Sequence, residues 1–252
     1  MKKKVAILGS TGSIGKTLIN IIKQDKKNFE IVLLSADENY KELIKQAKFF
    51  KVKNLIITNE NSFDKVKKDR SLKKINIYNN FNNFRKIFRK KVDYTMSSIS
   101  GIQGLKPTIE IIKFTNKIAI ANKEAIICGW DLIQKELKKN KTEFIPVDSE
   151  HFSIWYALRD IKKELIEKIY LTASGGPFLN KPLNNLKKVN FKQAVKHPNW
   201  KMGKKITIDS ATLVNKIIEV IEASILFNLS LQQIKILIHP ASIIHGIVNF
   251  ID

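Results

Sequence analysis

The sequence predicts an α/β fold, in which a Rossmann-type, doubly wound parallel sheet is followed by an α+β domain. Three observations lead to this prediction. An apolar run over residues 4–8 enters a glycine-rich turn, and a helical pattern follows it. Short apolar runs then alternate with amphipathic stretches up to residue 137, as in parallel sheets covered by helices. After residue 148 the pattern changes to mixed strands and helices around a Gly-Gly-Pro turn.

The predicted elements follow the hydrophobic periodicity along the chain. In the first domain, residues 1–148, we expect strands at 4–8, 29–34, 54–58, 75–78, 92–96, 117–121 and 144–147. Helices are expected after the glycine turn and at 39–50, 81–89, 104–114 and 124–137. In the second domain, residues 149–252, we expect helices at 149–159 and 213–228 and strands at 169–173, 235–239 and 243–250.

The composition favours a cytoplasmic enzyme or binding protein. The 252 residues include 45 Lys and Arg against 23 Asp and Glu, which gives a net charge of +22. The lysines are spread through nearly every segment, without a basic tail, helix-turn-helix or zinc pattern, which argues against specific nucleic-acid binding. No apolar run is long enough for a membrane helix. The single Cys128 excludes an intramolecular disulfide, and its helical context predicts a buried structural thiol.

The glycine-rich turn Gly9-Ser-Thr-Gly12-Ser-Ile-Gly15 predicts a nucleotide site. Between a strand and a helix, such a turn places backbone N–H groups and the helix N-terminus against a pyrophosphate. Its GxxGxxG spacing is a variant of the GxGxxG fingerprint, so a merely tight structural turn is the alternative. The position of the turn, between the expected strand and helix, favours nucleotide binding.

Two carboxylates, Asp148 and Glu150, follow the apolar run 144–147. If the extended backbone continues, side chains two residues apart leave the same side of it. Paired carboxylates at a strand end suit a hard divalent cation such as Mg²⁺ or Mn²⁺. The alternative is a helix N-terminus capped by Asp148 or Ser149, with Glu150 facing the positive end of the dipole. Taken locally, the sequence favours the cap.

A distant helix carries groups that complement this pair. Asn215 and Glu219 are four residues apart and share a helical face, with Lys216 adjacent. Glu219 would complete a three-carboxylate metal site, and the hydroxyl, amide and ammonium donors suited to a phosphate would be Ser174, Ser210, Asn215 and Lys216. The alternative is an ordinary solvated face. Lys123, where a strand ends and a helix begins, would point into the same cleft, unless it is a simple strand-end charge.

The polar stretch 197–203 contains a histidine, a tryptophan and a methionine between proline and glycine. A Trp on such a loop is typical of a lid that closes over a substrate and excludes water. The alternative is an anchor that holds a long loop against the core.

Taken together, these motifs resemble the 1-deoxy-D-xylulose 5-phosphate reductoisomerase family. The resemblance rests on their order and spacing along the whole chain: Gly9–Gly15, Ala121-Asn-Lys-Glu124, Val147-Asp-Ser-Glu-His151, Ser174-Gly-Gly-Pro-Phe178, His197-Pro-Asn-Trp200, Met202-Gly203, Asp209-Ser-Ala-Thr, Asn215-Lys216 and Glu219. So many independent motifs make the match specific, and they reverse the local preference for a simple cap at Asp148.

The resemblance implies an enzyme that converts 1-deoxy-D-xylulose 5-phosphate to 2-C-methyl-D-erythritol 4-phosphate with NADPH and Mg²⁺ or Mn²⁺. It implies that Asp148, Glu150 and Glu219 hold the metal and act in catalysis with Lys123. The implied substrate-binding residues are Lys123, Ser149, Glu150, Ser174, His197, Trp200, Ser210, Asn215, Lys216 and Glu219. The implied cofactor-binding residues are Thr11, Gly12, Ser13, Ile14, Ala36, Asp37, Asn39, Asn122, Glu124 and Gly203. A cytoplasmic homodimer with no nucleic-acid or membrane partner is also implied.

Two departures from the family pattern change these expectations. After the second strand the family usually shows Ala-Gly-Lys/Arg-Asn, where the cation binds the 2′-phosphate of NADPH, whereas this chain has Ala36-Asp37-Glu38-Asn39. We therefore expect reduced discrimination for NADPH over NADH, and an NADPH preference above about a hundredfold would contradict it. The family also continues with a helical C-terminal domain, so we expect a chain that binds cofactor but is poorly active alone.

Two other interpretations stay open at the level of sequence. Another two-domain dehydrogenase would share the nucleotide domain but would not require Asp148, Glu150 and Glu219 together. An inactive fragment or a basic nucleic-acid-binding protein belongs to a different class. A steep fall of any DNA affinity with salt, without sequence preference, would mark DNA binding as nonspecific.

Overall fold

The computed structural model describes residues 1–195 and 204–251. The chain divides into two compact units, Met1–Ile145 and Pro146–Asp252. Each unit has its own sheet and core, and each is described separately below. Within the described residues, no helix combines the length and the apolar character needed to cross a membrane.

The first unit is built on a seven-stranded sheet. Its strands are β1 (Lys3–Leu8), β2 (Phe29–Ala36), β3 (Asn54–Ile57), β4 (Asn76–Tyr78), β5 (Val92–Ser97), β6 (Thr115–Ile120) and β7 (Glu143–Pro146). Their order is β4-β3-β2-β1-β5-β6-β7, and every pairing from β4 to β6 is parallel. Because the order reverses between β1 and β5, ligands are expected beyond the carboxyl ends of these two strands. The sheet confirms the predicted α/β fold class.

Helices cover this sheet. They are α1 (Ser13–Gln24), α2 (Tyr40–Phe50), α3 (Glu60–Lys67), α4 (Phe84–Ile87), α5 (Leu105–Ile111) and α6 (Lys123–Asn140). Helix α3 was not predicted, because only Ser62 and Val66 of its eight residues are buried and its periodicity is weak. The predicted helix 104–114 is α5 followed by a 3₁₀ turn at Ile112–Phe114.

The core of the first unit explains why its strands are continuous apolar runs. Ile7 of β1, Leu33 of β2 and Ile56 of β3 have no exposed surface, as expected for parallel strands covered on both faces. The expectation of a buried thiol was wrong, since Cys128 is exposed. The core-facing residues of α6 are its neighbours Ile126 and Gly129, so the thiol points away from the sheet.

The second unit combines a small mixed sheet with helices. Its elements are α7 (Ser149–Ala157), β8 (Ile166–Ala173), α8 (Leu183–Leu186), α9 (Phe191–Ala194), α10 (Lys204–Ala211), α11 (Val214–Phe227), β9 (Ile234–Ile238) and β10 (Gly246–Phe250). Strand β8 is central, antiparallel to β10 and parallel to β9. Ile154 of α7, Leu171 of β8 and Ala223 of α11 are fully buried in one cluster. This packing brings the N-terminal turn of α7 close to α11.

Candidate functional sites

The glycine turn of the first unit takes a conformation that only glycine allows at two positions. Gly9 has φ +79°, and a Cβ there would lie 2.7 Å from the carbonyl oxygen of Ser98. A Cβ on Gly15 would lie 2.3 Å from the carbonyl oxygen of Gly9. Helix α1 starts directly after Gly12, which has no side chain to cap its first turn. The N–H groups of that turn are therefore available to an anion.

A cavity of about 590 Å³ opens beside this turn. It is lined by residues that follow the strands at their carboxyl ends, which is where the strand order predicts a ligand. Four of the predicted cofactor residues line it: Thr11, Gly12, Ala36 and Asp37. Sequence reasoning missed Thr58 and the loop 80–82, although their places directly after β3 and shortly after β4 are a usable signal.

The other predicted cofactor residues are not among those that line the cavity. Ser13 and Ile14 begin α1, and Asn39 caps α2 by accepting a hydrogen bond from the Glu42 N–H at 3.3 Å. Glu124 lies in the first turn of α6, next to Lys123, which was predicted to act on the substrate; neither lines the cavity. Gly203 lies outside the described residues.

Asn122 holds the loop after β5, part of which lines the cavity. Its side chain is 3% exposed and donates to the carbonyl oxygens of Ile99 at 2.5 Å and Gly101 at 2.7 Å. Its Oδ1 accepts from the Ala125 N–H at 2.8 Å and so caps α6. Because Ile99 lines the cavity, Asn122 fixes the loop after β5 against the start of α6.

The second unit brings together the three carboxylates that the sequence grouped. Oxygens of Asp148, Glu150 and Glu219 all lie within 4.8 Å of one another. The reason differs from the one expected: β7 ends at Pro146 and α7 begins at Ser149, so Asp148 and Glu150 are not alternate side chains of one strand. Asp148 occupies the cap position of α7 without a side-chain capping hydrogen bond. We call these three residues the acidic cluster.

An ammonium group lies among these carboxylates. Lys216 is 5% exposed, and its Nζ donates to Glu150 Oε1 at 2.8 Å and forms a close ion pair with Glu219 Oε2. Burial by itself lowers the pKa of Lys216, but the carboxylates of Glu219 and Glu150 outweigh it, so the pKa is raised. In this structure the ammonium therefore lies between two of the three carboxylates, those of Glu150 and Glu219, and balances their charge.

Neighbouring side chains fix the orientation of the carboxylates. Ser149 Oγ donates to Glu150 Oε2 at 2.6 Å, and Asn215 Nδ2 donates to Glu219 Oε1. Asn215 and Lys216, which were predicted to bind phosphate, thus contact the acidic cluster here. Three carboxylates whose oxygens lie this close together, two of them fixed by neighbouring side chains, form a donor set that fits Mg²⁺ or Mn²⁺.

A second group shares Asp148 and lies deeper. His151 and Glu222 are 0% and 2% exposed, and together with Asp148 they present ligand atoms within 4.8 Å of one another. His151 Nε2 is 3.0 Å from the Glu219 carbonyl oxygen, and its Nδ1 is 3.7 Å from Glu222 Oε2. Mg²⁺ retains several waters, so the more accessible acidic cluster suits it better than this buried group. Sequence reasoning missed Glu222, whose position three residues after Glu219 places it near the same helical face.

The predicted phosphate hydroxyls lie on two backbone segments that touch. Ser174 begins a turn in which its Oγ accepts from the Gly176 N–H at 3.3 Å. Gly176 has φ +69°, and a Cβ there would lie 2.8 Å from the carbonyl oxygen of Ser210 in α10. The turn therefore packs against the backbone of Ser210. His197, Trp200 and Met202 of the predicted lid lie outside the described residues.

These features define a class of protein: a doubly wound sheet with a glycine loop at its switch point, followed along the chain by a carboxylate cluster suited to a divalent cation. Two family models match the chain. The model described as 1-deoxy-D-xylulose 5-phosphate reductoisomerase matches residues 5–129, and that of the C-terminal domain of the same enzyme matches residues 144–227.

Individual relatives agree with the family models. The reductoisomerase of Pelagibacter ubique is 60% identical over 98% of this chain, and that of Caldanaerobacter subterraneus is 43% identical over 99%. The solved structure of the Zymomonas mobilis enzyme with NADPH is 32% identical over 99% of this chain, with a TM-score of 0.88. A solved complex of the same enzyme type with NADPH, fosmidomycin and magnesium is 33% identical over 98%, with a TM-score of 0.89.

The chain belongs to the 1-deoxy-D-xylulose 5-phosphate reductoisomerase family, which confirms the resemblance seen in its motifs. It spans 64% of the length of the Pelagibacter relative, 65% of the Caldanaerobacter relative and 65% of the Zymomonas chain.

Proposed function

We propose that the protein is a metal-dependent reductoisomerase that converts 1-deoxy-D-xylulose 5-phosphate to 2-C-methyl-D-erythritol 4-phosphate with a reduced nicotinamide dinucleotide. The observation that carries this proposal is the acidic cluster, since Asp148, Glu150 and Glu219 converge from separate segments on one point. The family membership and the solved relative in complex with NADPH, fosmidomycin and magnesium support it.

The acidic cluster would hold Mg²⁺ or Mn²⁺. When bound, the cation supplies a Lewis acid for the carbonyl and hydroxyl oxygens of the substrate during the carbon-skeleton rearrangement. The protein supplies the geometry of the three carboxylates. Ser149 fixes Glu150, Asn215 fixes Glu219, and His151 holds the backbone of α11 at the Glu219 carbonyl oxygen. These contacts prepare the ligands before a cation arrives, which lowers the cost of binding.

Lys216 would have two successive roles. Without a divalent cation, its ammonium offsets the repulsion among the carboxylates of the acidic cluster. When the carboxylates ligate a divalent cation instead, Lys216 Nζ would be available to an anionic group of the substrate. Ser174, Ser210 and Asn215 would complete the donors for the substrate phosphate, and the family membership supports a substrate-binding role for Lys123 of the first unit.

The first unit would bind the dinucleotide. The open N–H groups of α1 and the turn at Thr11 and Gly12 fit a pyrophosphate, and the cavity beside them fits the adenosine half. The dinucleotide supplies the hydride that reduces the aldehyde formed by the rearrangement.

We also propose the type of substrate, the oligomeric state and the location of the protein. The substrate is a small phosphorylated sugar, the protein works as a homodimer, and it acts in the cytoplasm without a nucleic-acid partner. Analytical ultracentrifugation of the purified chain tests the homodimer, and a monomer at every concentration would contradict it.

Oxidation of NADPH and NADH with 1-deoxy-D-xylulose 5-phosphate tests the reaction. We expect turnover only with Mn²⁺ or Mg²⁺, and a loss of about 10²- to 10³-fold in Glu150→Gln, because that substitution removes one charged ligand. Glu167→Gln is the matched control, since Glu167 is an exposed carboxylate of the same unit outside the acidic cluster. Turnover without a divalent cation would overturn the mechanism and favour an ordinary dehydrogenase.

A further inference from the structure

We propose that the nucleotide cavity selects a dinucleotide whose adenosine ribose carries a free 2′-hydroxyl, so that this chain binds NADH more tightly than NADPH. The inference rests on the proposed function in one respect, dinucleotide binding by the first unit. The residue that carries it is Asp37, with Thr58 as its support.

Asp37 lies where a dinucleotide-binding sheet places the ribose. It is the first residue after β2, which pairs with β1, and it lines the same cavity as Gly9 and Gly12 of the glycine turn. A carboxylate about 20 residues beyond the glycine turn of such a fold accepts a hydrogen bond from the ribose 2′-hydroxyl. Asp37 meets this description in position, in chemistry and in access to the cavity.

Thr58 holds the carboxylate of Asp37. Thr58 is the first residue after β3 and lines the cavity too, and its Oγ1 donates to Asp37 Oδ1 at 2.7 Å. Within the described residues the Asp37 side chain makes this one hydrogen bond, so Oδ2 can accept a further donor. An ionised carboxylate accepts hydrogen bonds and cannot donate them. It therefore complements a hydroxyl and repels a phosphate dianion.

The other charges around the cavity do not offset this repulsion. Among its lining residues the charged ones are Asp37, Glu110 and Lys106, so two carboxylates face one ammonium in a chain of net charge +22. Lys106 lies 4.0 Å from Glu110, its neighbour on the next turn of α5. A 2′-phosphate would add a charge of about −1.5 to −2 to this lining.

Neither Ser35 nor Lys41 offsets the repulsion between Asp37 and a 2′-phosphate. Ser35 is 1% exposed, and its Oγ accepts a hydrogen bond from the Gly9 N–H at 2.9 Å. It therefore supports the glycine turn. Lys41 lies in the first turn of α2, outside the lining of the cavity and next to Glu42 in the chain. The next residue after Asp37 is Glu38, an exposed second carboxylate.

The competing interpretation is that Asp37 only joins the ends of β2 and β3 through Thr58. Asp37→Asn distinguishes this structural role from recognition of the ribose, because an asparagine Oδ1 can still accept a hydrogen bond from Thr58 while the negative charge is lost. Asp131→Asn is the matched control, since Asp131 is an exposed carboxylate on α6 of the same unit and does not line the cavity.

The experiment measures equilibrium dissociation constants of the full 252-residue chain for NADH and NADPH by titration calorimetry at one ionic strength. We expect the wild type to bind NADH at least about tenfold more tightly than NADPH. Asp37→Asn is expected to weaken the binding of NADH and to strengthen the binding of NADPH. The ratio of the two dissociation constants should therefore change by about tenfold or more. Asp131→Asn is expected to leave the ratio unchanged.

Two results would overturn the inference while leaving the proposed function intact: NADPH bound as tightly as NADH by the wild type, or a ratio that Asp37→Asn does not change. Failure of both dinucleotides to bind would instead contradict the proposed function, and the inference would fall with it.

Discussion

The glycine turn of the first unit, beside the cavity, is built from backbone and small side chains, whereas the acidic cluster of the second unit consists of ionised side chains. Gly9 and Gly15 allow the turn its close backbone approaches, since a Cβ on either residue would collide with backbone atoms. Asp148, Glu150 and Glu219 shape the cluster by charge, and Lys216 balances it. The backbone of the glycine turn is therefore sensitive to added volume, and the stability of the acidic cluster to the removal of a charged partner.

The largest expected effect on stability is in the second unit. Lys216→Met leaves Glu150 and Glu219 close together without their ammonium, and we expect a loss of about 3–5 kcal/mol of unfolding free energy. Added Mg²⁺ should recover part of this loss. Urea unfolding with and without Mg²⁺ measures both quantities.

Lys168→Met is the control for that experiment. Lys168 pairs with Glu167 at 2.6 Å, but both side chains are substantially exposed, at 39% and 43%, so water screens the pair and a much smaller loss is expected. Equal losses in the two variants would show that burial of the Lys216 pair has no energetic consequence.

A smaller effect is expected from added volume in the first unit. Gly15→Ala inserts a Cβ 2.3 Å from the Gly9 carbonyl oxygen, so the turn must shift, and we expect a loss of about 1–3 kcal/mol together with weaker dinucleotide binding. Gly12→Ala is the matched variant, since its Cβ would lie 3.4 Å from the same oxygen. Thermal unfolding and NADH titration should show a clearly milder effect for Gly12→Ala, and the opposite order would contradict the account of the turn.

The smallest effect is confined to alkaline pH. Burial raises the pKa of Tyr94, in β5, to about 12, while the carboxylates of the acidic cluster raise the pKa of Lys216 against burial. Below about pH 10 Tyr94 is neutral in both the folded and unfolded states, so it has no effect there. As the pH rises from about 10 to 12 the unfolded state ionises first, so stability falls. Unfolding measured across this range should lose part of its pH dependence in Tyr94→Phe, and an unchanged slope would contradict the assignment.

The same contrast explains how much the sequence could predict. The glycine turn, β1 and α1 are adjacent in the chain, so their local pattern was sufficient to predict both the elements and the nucleotide cavity. The acidic cluster depends on the packing of α11 against α7, two helices that are far apart in the chain. A local sequence pattern predicts neither that the two helices meet nor that the Lys216 ammonium lies beside the carboxylates. For that reason residues 148–150 alone favoured a helix cap, and only Glu219 and the family motifs favoured a metal site.

Other differences between prediction and structure have equally local causes. The amides of Asn39 and Asn122, which were expected near the cofactor, also cap α2 and α6, as a short polar side chain before a helix often does. Sequence reasoning missed the pair of His151 and Glu222, because the burial of two polar side chains against each other leaves no periodic pattern in the sequence. Cys128 was placed wrongly because the face of a helix cannot be deduced from one residue.

The central claim is that Asp148, Glu150 and Glu219 hold one divalent cation. Electron paramagnetic resonance of Mn²⁺ titrated into the purified chain tests it without reference to turnover. We expect one Mn²⁺ per wild-type chain and an affinity about 10- to 100-fold lower in Glu219→Gln. Glu222→Gln, altered three residues further along the same helix, should retain binding close to that of the wild type. Undiminished binding in Glu219→Gln, or a loss confined to Glu222→Gln, would contradict the claim.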